Sequence, residues 1–319
     1  MVFANSIAFA TEPLAIPDSY DIEYPEDEPP QEREVLLGKV LFFDTLLSGN
    51  KTMSCATCHN PELGFGDGLK HSFGANGRQL KRHTPHLYNL AWASSLFWDG
   101  RAETLEQQSL MPIANPDEMD LNLEELITRI KANKWYRDEF SAVYGEEGIS
   151  LWSISSGLAS FMRSIVVKNS PFDKYLAGDT AALSEKQLRG KVVFEGKAKC
   201  TSCHDGANLT DDSFHSLGVA TNDKVRGEHL KDNSMNFRVK TPGLRNVALT
   251  APYMHDGSQP TLQSVIKFYN EGGGKGPNLD PLIKPLELNE KEVSDLLAFL
   301  HALTDPIEFS RPENIIEKE

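Results

Sequence analysis

Apolar residues recur three and four positions apart over residues 32–43, 121–132, 135–144, 151–167, 184–194, 262–269 and 289–303. That spacing lines them along one face of an α-helix, so each stretch predicts an amphipathic helix. Ser184 and Asn289 stand where a side-chain oxygen would cap the first free backbone N–H groups. Alternation with period two is sustained only over residues 238–247. The pattern therefore predicts a mostly α fold. Residues 168–173, with Pro171, read as a linker between two halves.

The first ten residues, MVFANSIAFA, are apolar and end in the small-x-small pattern Ala8-Phe9-Ala10. They lack the basic start of a full secretory signal, so residues 1–17 are expected to hold a residual export signal or a disordered tail. The proline-rich, acidic stretch 11–30 predicts an extended surface segment. A hydrophobic share of 39% with 24% charged residues fits a packed chain. Lys+Arg number 32 against 46 Asp+Glu, a net charge of −14. That balance argues against nucleic acid or an anionic membrane surface as partner and leaves a basic protein partner open. No apolar run approaches the roughly 18 residues of a spanning helix.

The four cysteines form two pairs, each followed by histidine: Cys55-Ala56-Thr57-Cys58-His59 and Cys200-Thr201-Ser202-Cys203-His204. CxxCH is the attachment signal for c-type haem. Two thiols one helical turn apart add to the two porphyrin vinyl groups, and the next residue places an imidazole under the iron. A zinc site or two small disulfides would account for the pairs but leave both histidines unexplained. Gly38-Lys39-Val40-Leu41-Phe42 and Gly190-Lys191-Val192-Val193-Phe194 precede the two motifs, each ending a predicted helix. The duplication predicts two cytochrome-c-like haem domains with long loops, residues 18–167 and 168–303, and a tail, 304–319, folding back on the first. Covalent haem c is attached outside the cytoplasm, which predicts a periplasmic protein.

Four longer strings carry a resemblance: LGKVLFFDTLLSGNKTMSCATCHNP, RHTPHLYNLAWASSLFWDGRAETLEQQSLMPIANPDEM, GKAKCTSCHDG and TPGLRNVALTAPYMHDGSQPTLQSVIKFYNEGG. Through them the chain resembles the bacterial di-haem cytochrome c peroxidase and MauG family over about residues 31–303. The resemblance implies that the first haem is the peroxide site and the second an electron relay.

Carried over by position, Trp98 matches a tryptophan between the two haems, where an oxidisable indole would bridge them; read without the resemblance it is a buried structural residue. Glu118 matches the distal acid of the peroxide pocket, Gln108 a potential hydrogen-bond donor to iron-bound oxygen, and Pro112 a residue bordering that pocket. Many members carry a histidine in a Gly-His-Gly loop that ligates the first iron until reduction releases it. Here the stretch reads Phe73-Gly74-Ala75-Asn76-Gly77-Arg78, with Ala75 in that place and His71 nearby as a solvated loop residue. The resemblance thus implies that His59 alone binds the first iron.

On the second haem the proximal ligand is His204. Where many members place methionine, fourteen residues after the histidine of Pro252-Tyr253-Met254-His255-Asp256-Gly257, this chain has Tyr269. Met254 is the rival ligand, and His255 is expected near a haem propionate. A tyrosinate, being anionic, favours ferric and higher states, whereas a thioether favours ferrous iron. Tyr269 and the run 279–286 match the MauG-like (MbnH-like) branch. The family also binds calcium between its domains, partly through carbonyls that match Thr250 and Pro252; the side-chain ligand position falls near His83, an unsuitable calcium ligand. MauG uses a tryptophan two residues before its second CxxCH as a port to its protein substrate, and Ala198 stands there in this chain.

The implied function is an oxidoreductase using hydrogen peroxide through a high-valent di-haem state to oxidise Trp or Tyr side chains of a partner protein. The alternative is a cytochrome c peroxidase fed by a small cytochrome c or a cupredoxin. A pure electron carrier would have no use for an open face with a base beside it.

Overall fold

A computed structural model describes residues 12–25 and 29–312. The expected export signal falls largely outside the described residues. The helices in chain order are α1 (Glu32–Phe43), α2 (Cys55–Cys58), α3 (Leu105–Ala114), α4 (Leu123–Ala132), α5 (Lys134–Tyr144), α6 (Leu151–Arg163), α7 (Pro171–Leu176), α8 (Glu185–Glu195), α9 (Arg226–Leu230), α10 (Leu262–Asn270) and α11 (Glu290–Ala302). Two strands of two residues each, β1 (Phe214–His215) and β2 (Val239–Lys240), pair antiparallel. The fold is mostly α, as the periodicity predicts. Ser184 and Asn289 cap α8 and α11 through reciprocal bonds with Gln187 and Glu292.

Two differences have clear causes. The alternating stretch 238–247 forms only the two residues of β2, because its later backbone groups bond to loops instead. The expected linker already turns helical at Pro171, where the side chains of Ser170 and Asp173 cap each other's backbone.

The described residues hold two hydrophobic clusters. One gathers Leu37, Leu41, Phe42, Ile113, Phe140, Leu158 and Val167; the other Phe172, Phe194, Leu209, Ile266, Phe299 and Leu303. Each is built on one close helix crossing. α1 meets α6 at Gly38, where an added Cβ would lie 1.7 Å from the Gly157 carbonyl oxygen. α8 meets α11 at Gly190, where it would lie 2.0 Å from the Asp295 carbonyl oxygen. The repeated Gly-Lys-Val string thus marks the point where two backbones touch.

The chain ends tie the halves together. Residues 12–18 are extended but not free, and Ser19–Asp21 follow as a 3₁₀ turn: Leu14 packs on the second cluster, the Ala15 carbonyl accepts from Arg245 at 3.1 Å, and the Asp18 carbonyl accepts from the Trp92 indole at 3.0 Å. Arg245, 2% exposed, pairs with buried Asp173 at 2.8 Å. Past α11, Phe309 stacks on Phe43 with ring centroids 5.7 Å apart, and the Lys39 ammonium lies over the Phe309 ring, 4.4 Å from its centroid.

Replacing Gly38 by valine should force α1 from α6. We expect a loss of about 1–3 kcal/mol or more in chemical denaturation, against a small effect of replacing the exposed Val192 of α8 by alanine.

Candidate active site

The two CxxCH segments present their histidines in the same way. α2 is capped by Ser54 and Thr57, and Cys200 opens a 3₁₀ turn after Lys199. The His59 Nδ1–H donates to the Phe65 carbonyl at 3.0 Å; the His204 Nδ1–H donates to the Leu209 carbonyl at 3.0 Å. Phe65 and Leu209 both adopt a left-handed backbone, φ 56° and 55°, which turns each carbonyl back to its ring. With Nδ1 so engaged, Nε2 is left as the ligand atom. Burial lowers the pKa of both rings and holds them neutral, the form that binds metal.

All four thiols are free, and burial pushes those of Cys55, Cys58 and Cys200 up to about 12. Cys55 packs on the first cluster and Cys200 on the second, so the pairs do not converge on one zinc ion. Nor is either pair a disulfide. Two thiols and an imidazole in each half fit two covalently held haem groups.

The first set of residues surrounds a cavity of about 700 Å³ lined by Cys55, Cys58, His59, Trp98, Gln108, Pro112 and Glu118. Glu118 follows α3 and is half-buried. Its Oε1 accepts from Asn115 Nδ2 at 2.9 Å. Burial raises its pKa, opposed by the Arg101 charge and the Asn115 bond. The loop with Ala75 is laid against it: the Ala75 N–H donates to the Glu118 carbonyl at 2.7 Å, and a Cβ on Gly74 would lie 1.9 Å from the Asp117 carbonyl oxygen. His71, expected as a solvated residue, is half-buried, with a buried Nδ1 that has no partner.

Cys200, Cys203, His204 and Tyr269 gather in the other half. Tyr269 sits near the end of α10, and burial together with the two thiols raises its pKa. A longer repeat, not apparent from the CxxCH motifs alone, explains its place. Thr84-Pro85-His86-Leu87-Tyr88-Asn89 and Thr241-Pro242-Gly243-Leu244-Arg245-Asn246 open two segments that run in step through Trp98-Asp99-Gly100 and His255-Asp256-Gly257 to Thr104-Leu105 and Thr261-Leu262. Thr104 caps α3 as Thr261 caps α10. Pro112 and Tyr269 are therefore equivalent positions on equivalent helices, and so are Trp98 and His255.

The equivalent residues meet at the junction. The Trp98 and His255 rings lie edge to face, centroids 6.4 Å apart. The His83 N–H donates to the His255 carbonyl at 2.8 Å, and its repeat-mate Lys240 donates to the Trp98 carbonyl at 2.9 Å. The Trp98 indole N–H is held by the His83 carbonyl at 2.8 Å. Arg82 binds both Asp99 and Asp223, at 2.6 Å each. His255 is 4% exposed, yet both its ring nitrogens are buried without a partner in the protein. Such orphaned polar atoms fit an added anionic group, as a haem carboxylate would be.

Sequence reasoning missed two residues. Asn89 and Asn246, φ 56° and 57°, each clamp the strand that leaves the closing helix of their half, Asn89 at Val167 and Asn246 at Asp305. The repeated Thr-Pro-x-Leu-x-Asn string was the available signal. His215, held between Asp211 at 2.9 Å and Asp280 at 2.8 Å, has its pKa raised to about 11 and places a positive charge by Cys203. Thr250 and Pro252 lie on the loop before His255, and the Thr250 carbonyl acts on the His83 ring. An imidazole there is a nitrogen donor, which suits calcium poorly.

The family profile for di-haem cytochrome c peroxidase matches residues 32–181, and that for cytochrome c matches residues 187–304. The methylamine utilization protein MauG of Methylorubrum extorquens is 41% identical over 92% of this chain and 84% of its own. The cytochrome-c peroxidase IdrP1 of a Pseudomonas species is 34% identical over 89% of this chain and 84% of its own. The crystal structure of a MauG-like protein associated with microbial copper homeostasis superposes with a TM-score of 0.82 at 32% identity, covering 96% of each chain. No helix among the described residues is long and apolar enough to cross a membrane. The chain belongs to the bacterial di-haem cytochrome c peroxidase and MauG family, oxidoreductases that act on hydrogen peroxide through two c-type haems.

Proposed function

We propose that the protein is a periplasmic oxidase that uses hydrogen peroxide to oxidise Trp or Tyr side chains of a partner protein. In this reading residues 18–167 form the peroxide-binding haem domain and residues 168–303 the relay domain. The observation that carries it is the inequality of two equivalent helix positions, Pro112 and Tyr269. A proline ring offers no ligand atom, so with Ala75 in the facing loop the first haem keeps a free face. A phenol offers an oxygen anion. Burial alone holds Tyr269 protonated, and a ferric ion is the positive partner that would release its proton. Phenolate ligation favours oxidised iron and makes the second haem a poor acceptor from a high-potential cytochrome.

When bound, the haems supply the redox chemistry, by which peroxide with two electrons and two protons gives two waters. Glu118 takes the proton from one peroxide oxygen and returns it to the departing one. Gln108 donates a hydrogen bond to the bound oxygen, and Pro112 shapes the loop that carries Glu118. Trp98, its indole N–H fixed by the His83 carbonyl, stands between the halves as the oxidisable bridge. The two electrons return from aromatic side chains of the partner. Ala198, 5% exposed, is not oxidisable, so the partner meets a different port from that of MauG. The cytochrome-c peroxidase relative supports the other reading, in which a small cytochrome c or cupredoxin returns the electrons.

Peroxide added to the diferric protein should give a long-lived species oxidised by two electrons, seen optically without prior reduction. A need for prior reduction, with fast turnover of reduced cytochrome c, would establish the peroxidase reading instead.

Replacing Tyr269 by Met should raise the second haem's potential, within the roughly 0.8 V span that axial ligands command; an unchanged potential in redox titration would remove Tyr269 from the iron.

Replacing Glu118 by Gln should slow the reaction with peroxide about 10²–10⁴-fold. The base acts when deprotonated and its pKa is raised, so the wild-type rate should fall with falling pH through a point above the usual carboxylate value. The Gln variant should lose that acid limb in stopped-flow pH profiles.

A further inference from the structure

We propose that the His83 imidazole takes the place of calcium at the domain junction, and that this protein joins its halves without that ion. The proposal stands whichever molecule returns the electrons.

His83 is 6% exposed and makes three hydrogen bonds. Its N–H reaches the His255 carbonyl in the other half at 2.8 Å, and its carbonyl holds the Trp98 indole at 2.8 Å. Its ring Nδ1 lies 2.9 Å from the Leu69 carbonyl oxygen. The Thr250 carbonyl, from the other half, acts on the same ring. One residue thus joins both halves through its backbone and sets an imidazole at the junction, the link that an ion between the domains would otherwise make.

Calcium requires six to eight oxygen ligands, usually with carboxylates among them. The ring stands by the Thr250 carbonyl, where an oxygen ligand would be wanted, and offers nitrogen in its place. The acid whose charge acts on His83 is Asp67, and its Oδ1 is engaged by the Leu69 N–H at 2.9 Å. His71 also acts on the ring, and His71 and His255 flank the junction with imidazole rather than oxygen. Ser72 and Thr84, both buried nearby in sequence, satisfy each other. At this position the side chain is thus an imidazole engaged with the Leu69 carbonyl, not an oxygen donor free to bind a metal.

The clamp also sets the bridge between the haems. Because His83 holds Trp98 by its carbonyl and His255 by its N–H, its ring contacts fix the backbone on which both depend. Removing calcium should therefore leave the electronic contact between the haems unchanged in this protein.

The test uses the two-haem holoprotein. Elemental analysis after dialysis against calcium, then against calcium-free buffer, should find no stoichiometric calcium, and calorimetric titration with calcium chloride should show no binding. Treatment with EGTA should leave the haem optical and EPR spectra and the melting temperature unchanged. One tightly held calcium per chain, or a spectral shift on chelation, would overturn the proposal. His83→Asn puts an amide oxygen where the ring stood. That variant, carrying both haems, should gain calcium binding and a calcium-dependent melting temperature. A folded His83→Asn protein still indifferent to calcium would show that the ring is not what closes the site.

Discussion

Two backbone hydrogen bonds across the junction, His83 to His255 and Lys240 to Trp98, hold the rest of the molecule in register. They are the same bond made twice, once from each repeat. Both donors are buried or half-buried against the other half, where an unmade backbone bond is costly. Any shift of one half would break both. With them fixed, the Trp98 and His255 rings must meet, and each CxxCH histidine stands at a set place relative to the junction. The two asparagine clamps, Asn89 and Asn246, anchor the same loops to the closing strands of their own helical units.

On this duplicated frame the chemistry is unequal. The first half places a proline, a half-buried acid and a small-residue loop around a cavity of about 700 Å³. The second places a half-buried phenol at the proline's counterpart and an imidazolium, His215, beside its CxxCH. The junction is unequal too: indole from one repeat faces imidazole from the other. The contact of those two rings is flanked by the Arg82 links to Asp99 and Asp223.

Much of this was legible in the chain. The α1 and α8 helices follow their apolar spacing to within a residue, since each buries one stripe and has a clear stop. α3 was not predicted, because Pro112 interrupts a pattern that tertiary contacts sustain, with Thr104 supplying the cap. α6 ends at Arg163 although apolar residues continue to Val167, because the chain there leaves the helix to meet Asn89. The CxxCH pairs announced haem attachment without any structure. Local pattern could not reveal that Gly38 and Gly190 are helix contact points, that Pro112 and Tyr269 are counterparts, or that His83 binds His255, Trp98 and Leu69. Those are relations between distant residues, and only the folded backbone brings them together.

EPR of the diferric holoprotein at low temperature tests most directly whether Pro112 and Tyr269, matching positions in the two repeats, give the haems different axial chemistry. One high-spin haem with a single protein ligand and one low-spin haem with a histidine and an anionic oxygen are expected. Two low-spin haems, or a second haem with the signature of sulfur ligation, would contradict that difference.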